Sequence, residues 1–242
     1  MMSSFNDQLL YEFMTNFYGY GTYKGKMWFI GMEEGGGNSF EEIQNRLTAW
    51  EQMARLELLD IQSFHKKIEM NYWFGSTAKL QTTWNKAIRI FLSSQGKNPT
   101  PEMVRTYQSE QFARVNSETC ILELLPLPSR SVKHWIYANY SSLQILQNKQ
   151  TYMEEVAPIR VPYIRDKISF FKPKQVVFFG LDSRYQSHWN KIAGVTFKHL
   201  KRGSYLYLIA DSKDTRFAIS SHPATRGIKN DYFYQLGQVL AA

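Results

Sequence analysis

Lys26-Met-Trp-Phe-Ile-Gly-Met-Glu-Glu-Gly-Gly-Gly-Asn-Ser-Phe-Glu-Glu42 changes character twice in a short space. Its apolar start is too brief for a helix and is stopped by Gly31, which predicts a strand buried on both faces. Three glycines follow, and Ser39-x-x-Glu42 forms a capping box that predicts a helix from Ser39 to about Ile61. The alternation recurs along the chain. Thr119–Leu125 and Gln175–Gly180 are apolar runs closed by Pro126 and by Gly180, and both predict strands. Ser204–Ile209 and Arg216–Ser221 also read as strands, paired as a hairpin around Asp211–Asp214. Helices are predicted over Asn6–Tyr18, Thr83–Ser93, Glu102–Arg114, Val156–Phe171 and Asn230–Leu240. Apolar strands alternating with helices imply an α/β fold with a mostly parallel sheet covered on both faces. With no repeat, linker or low-complexity tract, residues 1–242 read as one domain. Ligands of such sheets bind at the carboxyl ends of the strands, which here means Gly31–Gly37, Glu123–Arg130, Gly180–Arg184 and His222–Arg226.

The chain has 242 residues, 43% of them hydrophobic and 21% charged, a globular balance that excludes a largely disordered protein. The single cysteine, Cys120, excludes an intrachain disulfide, a cysteine zinc site and a cysteine-ligated iron–sulfur cluster. The opening residues lack a basic region followed by an apolar stretch, and no apolar run is long enough to span a bilayer. The expectation is a cytoplasmic protein with no signal peptide and no membrane segment. The histidines show no metal-ligand spacing, and neither cofactor nor metal is expected. Net charge is +8, and it is unevenly placed: Arg160–Arg202 holds ten basic and two acidic residues, leaving 19 of each sign elsewhere. Such concentration is the footprint of a phosphate-backbone partner, DNA above all, although a solvated basic surface has the same composition.

Gly-Met-Glu-Glu-Gly at 31–35, Leu-Leu-Pro-Leu-Pro-Ser-Arg at 124–130, Val-Val-Phe-Phe-Gly at 176–180 and Ser-His-Pro-Ala at 221–224 follow one another at the strand ends. In order and spacing they resemble the motifs of the uracil-DNA glycosylase superfamily. Those proteins have a Gly-x-x-Pro-Gly motif after the first strand and a His-Pro-Ser loop after the last. The resemblance implies a three-layer α/β/α fold around a four-stranded, mostly parallel sheet. It also implies a DNA-repair glycosylase that flips a damaged or modified base from the duplex and hydrolyses its N-glycosidic bond.

By the same resemblance, Glu33 falls at the water-positioning place and His222 at the place of the donor to the leaving base. Glu123 stands where the family has an Asn that reads uracil, with Met32 beside the pocket. Phe74, or Trp73 next to it, is similar to the aromatic wall. Arg130, Arg226 and Lys229 lie at the expected pocket mouth as phosphate contacts, and Lys201 and Arg202 extend the basic face with Lys172, Lys174, Arg184, Lys191 and Lys198. Each residue also has a plainer structural reading. Glu33 can be satisfied by the amides of the glycine loop, which could alternatively hold a phosphate. Glu123 can pair with Arg130, His222 can be a cap, and the aromatics can be core. At the level of function, the alternatives are a catalytically silent nucleic-acid-binding protein and a hydrolase of free nucleosides or nucleotides.

Overall fold

Residues 3–131 and 134–241 are described by the computed structural model. In chain order the main elements are α1 (Asp7–Asn16), β1 (Gly19–Gly21), β2 (Met27–Glu33), α2 (Phe40–Gln52), β3 (Leu58–Leu59) and α3 (Ile61–Lys67). Then come α4 (Thr82–Ser94), α5 (Pro101–Glu110), β4 (Thr119–Leu125), α6 (Lys149–Phe171), β5 (Gln175–Phe179) and α7 (Ser183–Ala193). The chain closes with β6 (Lys198–Arg202), β7 (Tyr205–Asp211), β8 (Arg216–Ser220) and α8 (Asn230–Ala241).

The expected α/β class holds, but the sheet is larger than the four mostly parallel strands anticipated. It is a mixed, eight-stranded sheet in the order β3-β1-β4-β2-β5-β8-β7-β6. Its middle four strands, β4-β2-β5-β8, are mutually parallel. Antiparallel pairings of β1 with β4 and of β7 with β6 and β8 extend it on either side. The hairpin expected around Asp211–Asp214 forms, with Asp211 opposite Arg216.

The parallel core follows from its residues. Trp28, Phe29, Ile30, Val176, Val177 and Phe178 have no solvent exposure, and each such side chain contributes about 1.5–3 kcal/mol by burial. Trp28 packs against Phe171 of α6 and Phe178 stacks on Trp189 of α7, so these helices cover one face. Phe29 turns the other way, toward Phe112 beyond α5, and Trp84 of α4 joins it there.

Two helices depart from expectation. The one begun by Ser39 ends at Gln52, because Ala54 and Arg55 take left-handed backbone conformations, φ 59° and 52°. The chain then forms β3 and α3 instead of running on to Ile61. Conversely, α6 begins at Lys149, not near Val156, and continues through Pro158 and Pro162. Proline lacks an N–H, so the carbonyls of Glu154 and Pro158 lose their helical donors. Glu154, Pro158 and Pro162 are all exposed, so water can reach those carbonyls and the helix survives.

The fully buried Arg160 of α6 ties the layers together. Its guanidinium donates to the carbonyls of Leu124 (2.8 Å), Glu123 (2.9 Å) and Met14 (3.1 Å), and lies 3.9 Å from the centre of the Tyr18 ring. Arg160→Met keeps the apolar stem but strands three acceptors. Stability should fall by about 3 kcal/mol or more, read as a lower urea midpoint at unchanged m-value. A loss below about 1 kcal/mol would show that the guanidinium does not hold these elements together.

Candidate active site

At the carboxyl edge of the parallel strands, β2 delivers Gly31, Met32 and Glu33, while β4 delivers Glu123 and Leu125. Gly31 is in register with Glu123, and Glu33 with Leu125. Gly31 has to lack a side chain: a Cβ there would lie 2.1 Å from Oε2 of Glu123. The Glu123 carboxyl therefore leans over the backbone of its neighbouring strand. The loop after β2 is held against the loop after β4, since a Cβ on Gly37 (φ 71°) would lie 2.3 Å from the carbonyl oxygen of Pro128. Ser129 N–H also donates to the Glu34 carbonyl at 3.2 Å.

Three carboxyl groups meet in this region, and each is treated differently. Glu34 accepts hydrogen bonds from the Tyr20 hydroxyl (2.7 Å) and the buried Arg46 guanidinium (2.6 Å), so it anchors β1 and α2. Glu33 Oε2 accepts from Lys149 Nζ at 2.7 Å. Lys149, at the first turn of α6, also donates to Ser129 Oγ at 3.1 Å, and its side chain and that of Glu33 are only 10% and 14% exposed. Burial raises the Glu33 pKa above the usual carboxylate value, with the Lys149 hydrogen bond and charge opposing it. Glu123 keeps some solvent access as a residue, but its Oε2 has none and no partner. Burial, then the nearby charges of Glu34 and Glu33, push its pKa well above the ordinary 4.5. The charge of Arg160 opposes these and is the smallest of the four influences. Glu33 Oε1 and Glu34 Oε2 are likewise buried without a hydrogen-bond partner.

His222 follows β8 on the same edge. Ser221 N–H donates to the Tyr232 hydroxyl of α8 (3.0 Å), and the Thr225 N–H closes a turn on the His222 carbonyl (2.9 Å). The Ala224 N–H donates to His222 Nδ1 at 3.2 Å. An acceptor Nδ1 leaves the proton of the neutral ring on Nε2, and burial lowers the pKa so that the neutral form is favoured. Only β5 separates β2 from β8, which puts the Glu33 and His222 strand ends roughly 10 Å apart.

The remaining expected residues divide between this edge and other parts of the fold. Met32 sits against Gly180 at the end of β5, where a Cβ would lie 2.8 Å from the Met32 sulfur. Phe74 packs on His65 and Trp84, and Trp73 on Tyr72 and Trp84. Phe74 lines a cavity of about 470 Å³ with Lys66 and Asn71, a cavity whose walls include none of Glu33, Glu123 and His222. Arg130, Arg226 and Lys229 are exposed on the loops that follow β4 and β8. Lys201 and Arg202 lie at the end of β6 nearest this edge, whereas Lys172 and Lys174 precede β5 and lie at the opposite edge. The basic face is therefore not continuous as expected. The Gly37 and Asn38 N–H groups both donate to Glu42 (2.9 Å), so these two amides are committed to that side chain rather than to Glu33 or a phosphate. Lys149 is the neighbour of Glu33 that sequence reasoning missed. Among the described residues no three His, Cys, Asp or Glu side chains converge as metal ligands would, and no helix is long and apolar enough to cross a membrane.

Compared with family models, with curated proteins and with solved structures, the chain matches none.

The raised Glu123 pKa has a definite sign in stability. Above pH 4.5 an unfolded Glu123 is ionised while the folded one holds its proton, so stability falls as pH rises toward the folded value. Glu123→Gln removes that fall. Denaturation midpoints of the variant and the parent should nearly coincide at pH 4.5 and separate in the variant's favour toward pH 8. Parallel curves across that window would show that Glu123 titrates normally.

Proposed function

We propose that this protein is a glycosylase-like hydrolase that cleaves the N-glycosidic bond of a modified base extruded from DNA, in the manner of the uracil-DNA glycosylase superfamily. The observation that carries the reading is that Glu33 and a neutral, Nε2-protonated His222 follow two parallel strands, β2 and β8, on the same edge of the sheet with only β5 between them. Cleavage leaves positive charge on the sugar and negative charge on the departing base. In this reading Glu33 accepts a proton from water or faces the sugar cation, and Oε1, buried in the free protein without a donor, is the oxygen that Lys149 leaves uncommitted. Lys149 holds the other oxygen and favours the charged form against burial. His222 donates Nε2–H to the base as its charge grows. A neutral imidazole suits this task, since it stabilises an anion without first protonating it.

Glu123 departs from the asparagine of the resemblance. With its pKa raised, the protonated carboxyl offers one donor and one acceptor, the hydrogen-bonding inventory of an amide. The same side chain, ionised, offers acceptors only and favours a base edge rich in donors. Exposed Arg130, Arg226 and Lys229 on the flanking loops supply phosphate contacts for the surrounding strand.

Labelled duplexes carrying a panel of modified bases, scored for abasic sites, test the reading directly. At least one base should be released, and Glu33→Gln should slow release by about 10²–10⁴-fold while duplex affinity stays near the parent's. Lys149→Met should move the acidic limb of the pH–rate profile upward, because Glu33 loses the cation that opposes its burial. No release of any base, or undiminished release by Glu33→Gln, overturns the assignment.

A further inference from the structure

A second cavity, of about 520 Å³, lies between α7 and the β6–β7 hairpin, away from Glu33 and His222. Gln186, Asn190 and Lys191 of α7, Thr196 and Phe197 of the following loop, and His199 of β6 line it, over a floor that includes Leu208. No acidic side chain lines it. From Ser183 to Ala210 the chain carries five Lys or Arg residues and neither Asp nor Glu. The acids flanking this stretch are already engaged: Asp182 by Arg184, Asp211 by Arg216 and Asp214 by Lys172. All five β6 residues are exposed, so Lys198, Lys201 and Arg202 continue the positive charge along the rim of the sheet.

The lining joins three kinds of feature. Lys191 supplies positive charge and His199 a ring nitrogen, and the side chains of Asn190 and Thr196 supply donors and acceptors beside Gln186, whose amide donates to the Leu181 carbonyl at 2.6 Å. Phe197, half-buried, and Leu208 present apolar surface. A phosphate meets the first group, the edge of a base the second, and the face of a base the third. The volume lies in the range of small-ligand sites, about 300–1,000 Å³. An acidic peptide would use the cationic side of the groove but would leave the aromatic surface without a partner.

From this we infer that the cavity between α7 and β6 is a nucleotide-binding groove for single-stranded DNA, taking one base against Phe197 and its phosphate on Lys191 and His199. Helix α7 starts beside the carboxyl edge and ends beside the groove. A strand lying along it would pass from the proposed glycosylase site to this second one. The inference takes its partner class from the proposed function, yet it rests on separate residues.

Fluorescence anisotropy of a labelled deoxythymidine oligonucleotide, titrated with the full-length Glu33→Gln protein between 50 and 200 mM salt, tests the groove. Lys191→Glu with His199→Glu should weaken binding about tenfold at low salt and flatten the log–log salt slope by about one unit or more. Phe197→Leu should weaken it by about tenfold with the slope unchanged, since stacking carries no counterion release. Lys97→Glu, an exposed change beyond α4 on the other face, should do neither. Thermal melts confirm that each variant is folded, and a Lys191→Glu single variant stands in if the double variant is not. Unchanged affinity in the groove variants overturns the inference. So does polyglutamate binding as tightly as the oligonucleotide with equal sensitivity to these substitutions, which would make the groove a general acidic-chain site. Because the readout is binding alone, failure to find a cleavable base leaves this result standing, and the reverse holds as well.

Discussion

A guanidinium with no access to water sets the frame for the candidate site. Arg160 reaches from the middle of α6 to the last residues of β4 and to the end of α1, and its flat face rests on Tyr18. Lysine could not substitute, because only a planar group with forked donors meets three carbonyls at once while stacking on a ring. Fixing the Glu123 and Leu124 carbonyls fixes the direction in which the Glu123 side chain leaves the strand. Gly31 then supplies the space that the carboxyl occupies. Helix α6 thus serves the site twice: its centre clamps β4, and its first turn carries Lys149 to Glu33.

The neighbouring carboxyls are kept apart in role by what reaches them. Glu34 has a tyrosine and an arginine and serves as an internal tie. Glu33 has one ammonium, so one oxygen is supported while the other is buried without a hydrogen-bond partner. Glu123 has two anionic neighbours and no side-chain donor, so a proton is its natural companion. Three glutamates of one composition therefore differ in chemistry through geometry alone, as crowded carboxyl groups in low dielectric must.

Much of this was legible in the chain, and the remainder was hidden for identifiable reasons. The four central strands announce themselves because strands buried on both faces are continuous apolar runs. Their ends gather Glu33, Glu123 and His222 because parallel strands point one way. Lys149 is 116 residues from Glu33 and sits among polar neighbours, so no local pattern links the two. Strand β6, Lys-His-Leu-Lys-Arg, carries no apolar alternation because no face of it is covered. The break after α2 is made by Ala54 and Arg55, neither of them a residue that signals left-handed backbone. Phe74 reads as a pocket wall in sequence, but its ring is drawn toward His65 and Trp84.

The two rims of the sheet bear on the solubility of the chain. Any outer strand leaves a row of unmatched amides and carbonyls that another sheet can join. At one rim the problem is limited by length, since β3 has two residues. At the other, β6 is long enough to recruit a partner, but it presents three cations within five residues. Two copies meeting there would bring like charges together, so the rim discourages stacking of the protein on itself. A polyanion laid along it would lift that repulsion and cover the open amides in the same act. Colloidal behaviour and occupancy by the proposed polyanion would thereby be coupled through one strand.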